Sequence, residues 1–422
     1  MVGCISSARP VKEHLGVNVT LHYILTRSPN KLLPFRSFIS ATTMAELIRD
    51  KGTLRNVESL VARLRRRQVT GAHDTAVETV LLLRQVVSTA RFSSIDQLLD
   101  MIRSVGVRLV AAQPKEIAVG NMVRRVIHQV REEYLANTGG ADPSQRTAGI
   151  TRTNTMSTPD GSALSLANFV LLGRPRATAR PTREVETSIG DVDRRSMATK
   201  PALIDAVKEI VDEMEGVFEG IAKNAKNHIH ADEIVLTIGY SRTVEEFLKA
   251  AAHDKKFTVI VAETAPSYTG QQLADSLSQH GISTFLVPDS AIFAMMSRVT
   301  KLILGAHAVL ADGGLVAQSG ALAAAIAARA HATSVIVCAA QYKFAPLWSW
   351  SVEGAGAADY GDPGLVMGYD EGELVGSVEV VNPKYDYVKP EFLDVIVTNY
   401  GDHPPSYVYK LVKEMYEDEI LE

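Results

Sequence analysis

Four short turns in the second half of the chain carry residues that could do chemistry. They are Ile238-Gly-Tyr-Ser-Arg242, Glu263-Thr-Ala-Pro266, Pro288-Asp-Ser290 and Asp312-Gly-Gly314. In the first, Gly239 lets a ligand approach the backbone, and Ser241, Arg242 and Thr243 open a helical pattern whose N-terminus favours negative charge. An anion cradle and an ordinary tight turn both fit these residues. A dinucleotide or nucleoside-triphosphate site does not fit, because the chain has neither G-x-G-x-x-G nor G-x-x-x-x-G-K-[ST]. His228 and His230 stand one residue apart with no carboxylate-rich neighbourhood, so they suit a helix end better than a metal site. The cysteines, Cys4 and Cys338, offer neither a disulfide framework nor a metal cluster, and no cofactor is expected. Trp348 and Trp350 fall just beyond an apolar run, near the expected mouth of any crevice.

Two further groups suit recognition rather than catalysis. Arg63, Arg65, Arg66 and Arg67 crowd the end of one helical pattern, which fits a solvated face or an acidic partner. Asn121, Arg124, Arg125 and His128 recur at helical spacing and form one polar stripe, either solvent-exposed or a binding edge for a protein. Gly120 beside them is expected to admit another backbone.

The elements that must position these groups are legible from periodicity. From Glu233 to Ala340, β-branched apolar runs alternate with helical patterns of about a dozen residues, which predicts an α/β fold with a mainly parallel sheet covered on both faces. The carboxyl ends of such strands are where a crevice opens. Leu302–Leu304 and Ala308–Leu310 are expected to flank one strand, and Thr243 with Glu246 has capping-box spacing. Upstream, residues 44–136 show only helical periodicity, with candidates at 44–51, 56–68, 75–90, 94–105 (ending at Gly106) and 114–134. The expected organisation is an extension (1–43), a helical domain (44–136), a low-complexity linker or insertion (137–200), a connecting helix (201–228) and a Rossmann-like domain (229–422).

Composition narrows the class. The chain has 422 residues, 46% of them hydrophobic and 22% charged, enough for a sizeable core in two domains. A net charge of −4 argues against a general nucleic-acid-binding surface. No apolar run is long enough to span a membrane and the first residues lack a signal-peptide core, so a cytoplasmic setting is expected.

Several stretches together resemble one family. They are Thr237-Ile-Gly-Tyr-Ser-Arg-Thr-Val-Glu245, Ala294-Met-Met-Ser-Arg-Val-Thr-Lys-Leu-Ile-Leu-Gly305, Tyr385-Asp-Tyr-Val-Lys-Pro-Glu391, Asn399-Tyr-Gly and Pro405-Ser-Tyr-Val-Tyr409, with Ala112-Gln-Pro and Val119-Gly-Asn-Met-Val-Arg-Arg125 upstream. The match runs from about residue 56 to the C-terminus apart from the 137–200 segment, and it resembles the regulatory-subunit family of eukaryotic translation initiation factor 2B, the beta branch in particular. The resemblance implies a non-catalytic subunit of the guanine-nucleotide exchange factor for initiation factor 2, in a core of alpha, beta and delta subunits, with exchange carried by epsilon helped by gamma. It implies pairing with delta through the α/β domains, and binding of the alpha subunit of initiation factor 2 so as to sense its phosphorylation. The residues expected to meet that partner are Asn121, Arg124 and Arg125, with Ala202 and Asp205 at the start of the connecting helix.

The wider superfamily includes sugar-phosphate isomerases. Their catalytic cysteine aligns with Gly239, their catalytic aspartate with His307, and an arginine of the second turn with Ala265. Glycine can neither attack nor transfer a proton, so isomerase chemistry is expected to be absent. Two alternatives stand beside the subunit reading: an isomerase-like enzyme with relocated groups, using for example Asp312, and a nucleotide or sugar-phosphate sensor using the 239–243 cradle.

Overall fold

A computed structural model describes residues 50–92, 94–138, 189–353, 359–370, 372 and 376–416, and for residues 138, 189–198 and 352–353 the backbone only. The N-terminal extension, all but residues 50–51 of the helix expected at 44–51, and residues 139–188 of the 137–200 segment lie outside the described residues. The described residues belong to one compact unit.

Four helices come first: α1 (Lys51–Arg65), α2 (Ala72–Thr89), α3 (Ile95–Ala112) and α4 (Ile117–Thr138). Asp50 caps α1 by accepting from the Thr53 amide at 2.8 Å, and Val57, Leu60, Val61 and Leu64 form its buried stripe. α3 does not stop at Gly106, as the sequence suggested, but runs through it. Gly106 is where α3 meets α4, because a Cβ there would overlap the Val123 side chain. The close approach expected at Gly120 is instead made at Gly106; over Gly120 lies the Arg124 guanidinium, with Nη1 3.2 Å from where a Cβ would stand. The long helix α5 (Ile189–Ala222) also begins earlier than residue 201 and carries Pro201 in its interior.

The α/β part continues with β1 (Ile234–Ile238), α6 (Arg242–Ala252), β2 (Thr258–Ala262), α7 (Thr269–Gln279), β3 (Ser283–Val287), α8 (Ile292–Met296), β4 (Lys301–Gly305), β5 (Ala308–Leu310), β6 (Leu315–Gln318), α9 (Ala321–Ala330), β7 (Ser334–Cys338), β8 (Phe344–Ala345), β9 (Tyr385–Val388), β10 (Val395–Thr398), β11 (Gly401–His403) and α10 (Val408–Tyr416). The main sheet has the order β11-β10-β7-β4-β1-β2-β3, parallel except for β11. Leu236 of β1 pairs with Ile260 on one side and Leu302 on the other.

Two expectations about this part need correction. Leu302–Leu304 and Ala308–Leu310 do not flank one strand: β4 belongs to the main sheet, and β5 to a second, four-stranded sheet of order β8-β5-β6-β9. The chain changes sheets within Ala306-His307, where the His307 amide already bonds to Val316 of β6. Nor is there a capping box at α6: Ser241 is the N-cap, and Thr243 is buried.

Alternation along the strands divides the core. Val235, Val259, Ile303, Ile336 and Val397 point to one face, where they join α6, α7, α5 and the four N-terminal helices in a single cluster. Leu236, Ile260, Leu302, Val337 and Ile396 point to the other face, against α8, α9 and α10. The helical layer therefore shares a core with the sheet, and its stability is tied to that burial. β3 is the exception to a doubly covered sheet. It is an edge strand, opposite β11, and Phe285 and Leu286 are 58% and 47% exposed; Phe293 on α8 is 58% exposed.

Candidate functional site: the crevice at the strand ends

A crevice of about 790 Å³ opens at the carboxyl ends of the main-sheet strands. The turn after β1 lines it with Tyr240–Thr243, the turn after β2 with Thr264–Ser267, the β4–β5 switch with Gly305–His307, and the segment after β7 with Tyr342 and Lys343. The helical layer closes the far side through Gly71–Asp74 and Phe218.

The four turns singled out in the sequence have different fates. At the first, Gly239 adopts φ +64°, a conformation that suits glycine, and the Gln318 amide occupies the space a Cβ would need. Gln318 is itself held by donating from Nε2 to Thr269 Oγ1 at 2.8 Å. Arg242 lies over the Phe218 ring at 4.5 Å, and Thr243 is buried. At the second and third turns, the Asp289 carboxylate accepts from the Thr264 and Ala265 amides at 2.9 and 2.7 Å, so one turn's backbone donors are filled by the next turn's side chain. At the fourth, Asp312 accepts from the Gly314 and Ser349 amides and from the Tyr387 hydroxyl at 2.9, 3.2 and 3.0 Å. Those bonds make it a turn-holding residue.

Tyr385-Asp-Tyr-Val388 gains a physical meaning here. Tyr385 stacks on the His307 ring at 4.1 Å, and Asp386 caps α9 by accepting from the Gly320 amide at 2.7 Å. Tyr387 reaches Asp312, and Val388 is buried. Three polar residues also shape the crevice, of which the sequence reading singled out only His307. Lys343 is buried and donates to the Ala306 carbonyl at 2.7 Å, and burial pulls its ammonium down to about 8. Burial likewise lowers His307 to about 4, and Gln318 fills the space beside Gly239. Lys343 had one visible signal, a lysine inside the apolar stretch Tyr342–Ala345.

The polar stripe of α4 is not a free surface. Asn121 is fully buried and donates to the Tyr342 carbonyl at 3.2 Å. Arg125 pairs with Glu213 of α5. Arg124 is largely buried near Tyr416, and burial lowers its pKa. Periodicity marked these residues as one stripe but not the direction it faces, which is into the seam between the helical layer and the sheet. Ala202 and Asp205 do remain at the surface, the latter exposed. Trp348 and Trp350 lie outside the crevice lining, with Trp348 beside Tyr409 at 6.1 Å. His228 bonds to Asp402 at 2.9 Å, and no cluster of three His, Cys, Asp or Glu suited to a metal occurs among the described residues.

Comparison with known proteins places this architecture. The model of the initiation factor 2 subunit family matches residues 68–405. The chain belongs to that family. Among its relatives, translation initiation factor eIF2B subunit beta of Schizosaccharomyces pombe is 38% identical over 380 residues, covering 86% of this chain and 95% of that protein. A chain from the tetrameric eIF2B-beta2-delta2 complex of C. thermophilum superposes with a TM-score of 0.61 at 28% identity, covering 89% of this chain and all of that one (100%). Ribose 1,5-bisphosphate isomerase of Pyrococcus furiosus is 30% identical over 218 residues, 51% of this chain and 66% of the enzyme. The initiation factor 2 subunit fold thus accounts for the N-terminal helices and the mostly parallel sheet, and the isomerase shares about half of it. No helix among the described residues is long and apolar enough to cross a membrane.

Proposed function

We propose that the chain is a regulatory subunit of the guanine-nucleotide exchange factor for initiation factor 2, acting in the cytoplasm as scaffold and sensor. The observation that carries this reading is similarity along almost the whole length of an eIF2B beta subunit. A crevice without isomerase groups supports it. Where the isomerase cysteine would align, Gly239 has no side chain and the neighbouring space is filled by Gln318; where the aspartate would align, His307 is an imidazole whose side chain is 7% exposed. A cysteine or carboxylate acting on a sugar phosphate has no counterpart there.

The partner most directly suggested is a delta-type subunit, and the surface that fits it is the open β3 edge with Phe285, Leu286 and Phe293. Alpha, gamma and epsilon subunits complete the assembly. The alpha subunit of initiation factor 2 would meet a more polar surface. Of the residues the sequence suggested for it, Ala202 and Asp205 on α5 are the accessible part, and the exposed Arg65 and Arg66 at the end of α1, read from the sequence as suited to an acidic partner, add a basic face. An assembled complex containing this chain should retain phosphorylated initiation factor 2 alpha more strongly than the unphosphorylated form. Charge reversal at Arg65 and Arg66 should reduce that difference; equal retention of both forms by the unaltered complex would contradict the sensor role.

The persisting cavity favours one added reading, a small-ligand sensor. A nucleotide or sugar phosphate that occupies it would raise the melting temperature of the chain, and no shift at millimolar ligand would remove that reading.

A further inference from the structure

The seam between the helical layer and the α/β layer contains a buried polar pair. Glu116 comes from the segment leading into α4, and His307 from the switch between β4 and β5. Their side chains are only 5% and 7% exposed, and Glu116 Oε1 lies 3.7 Å from His307 Nε2. Neither atom has any hydrogen-bond partner. A backbone hydrogen bond with Lys115 favours the protonated ring, and since Nε2 has no partner that bond falls to Nδ1. That bond places the imidazole proton on Nδ1 and leaves the Nε2 lone pair facing the carboxyl group.

Elementary chemistry restricts what can face a lone pair in a buried site. An ionised carboxylate would set two acceptors against each other in a site largely shielded from solvent. A carboxylic acid can donate instead, after closing ~0.7 Å to reach hydrogen-bond length. We propose that Glu116 and His307 share a single proton across this seam, as a neutral carboxyl–imidazole hydrogen bond that fastens α4 to the sheet switch.

The surroundings support the assignment. Facing the pair are Arg67 from the end of α1, Lys343 after β7, Asp359, Lys384, Tyr342 and Tyr385, the last stacked on His307. Asp359 is ion-paired with Arg67 and lies 3.7 Å from Lys384, so it offsets only part of the positive charge of Arg67, Lys384 and Lys343. Burial then dominates: it raises Glu116 to about 7, with Asp359 adding to the rise, and lowers His307 to about 4.

The two shifts act on stability with opposite signs. Glu116 is raised from 4.5 to about 7, so its contribution is complete below 4.5 and is lost as pH climbs to about 7. His307 is lowered from 6.5 to about 4, so its contribution is complete above 6.5 and is lost as pH falls to about 4. Between about 4.5 and 6.5 the slopes oppose each other, and the intact pair hides its own pH dependence.

Thermal unfolding of the full chain and two variants across that range exposes it. Relative to the unaltered chain, Glu116→Gln should gain ~3 °C or more in Tm as pH rises from about 4.5 to 6.5, and His307→Leu should lose a comparable amount between about 4.5 and 7. Melting curves for both variants that run parallel to the unaltered chain would overturn the proposal. If a variant does not fold, infrared spectroscopy of the unaltered chain gives the answer directly. A protonated-carboxyl band should be present at about pH 6, where ordinary carboxylates are ionised, and should vanish by about pH 8. Absence of that band at pH 6 would equally overturn it.

Discussion

A Phe285→Glu, Leu286→Lys double variant is expected to lose association with a delta-type subunit while leaving the fold of the chain intact. Both side chains sit on the edge strand β3 and are about half exposed, so the isolated chain loses little packing when they change. In a complex the accounting is different. Large apolar side chains at the centre of an interface are each worth ~2 kcal/mol or more when truncated, and introducing charge adds a desolvation cost. Two such losses amount to ~4 kcal/mol, or about a thousandfold in Kd. The check is a titration of the delta-type subunit against both chains, with Tm of the isolated chains as a control. Unchanged affinity with unchanged Tm would move the interface away from β3.

The second large effect is internal. Gly106→Val should destabilise the helical layer by ~3 kcal/mol, because the added carbon would overlap the Val123 side chain where α3 crosses α4. Helix propensity alone predicts the reverse sign, since glycine is among the poorest helix formers. The contest is decided by packing: Gly106 and Val123 are both buried and neither helix can withdraw without opening the core. Urea unfolding of Gly106→Ala, Val123→Ala and the pair separates the effects. The double variant should be more stable than the sum of the singles implies, as the smaller partner makes room for the new methyl. Additive losses would show that Gly106 is not a contact point.

How much of this was legible in the sequence depends on the kind of signal. Strand and helix alternation from Ile234 to Cys338 was readable because burial on both sheet faces leaves long apolar runs, and the parallel order of the central strands follows from the helices between them. The second sheet was not readable. Val309 and Ile303 are alike in type, and nothing local says that hydrogen bonding moves to another sheet at His307. The open edge at β3 escaped for the same reason, since Phe285 and Leu286 look like core residues until their neighbours are known. The α4 stripe shows the limit of periodicity for polar groups. Asn121, Arg124 and Arg125 share a face, but whether that face meets water or a buried seam depends on Tyr342, Glu213 and Tyr416, all distant in sequence. Of the four turns, those after β1 and β2 line the crevice, whereas Pro288–Ser290 and Asp312–Gly314 do not; the residues shaping the turns, Asp289, Gln318 and Asp386, act across long sequence separations.

The most direct test of the subunit assignment is the solution mass of the purified chain, alone and mixed with the delta-type subunit of the same organism. An obligate subunit should form a stable mixed complex and behave poorly by itself, because an exposed edge strand with large apolar side chains invites self-association. A well-behaved homo-oligomer that ignores the delta-type subunit would contradict the assignment and return attention to the crevice as a site for a substrate.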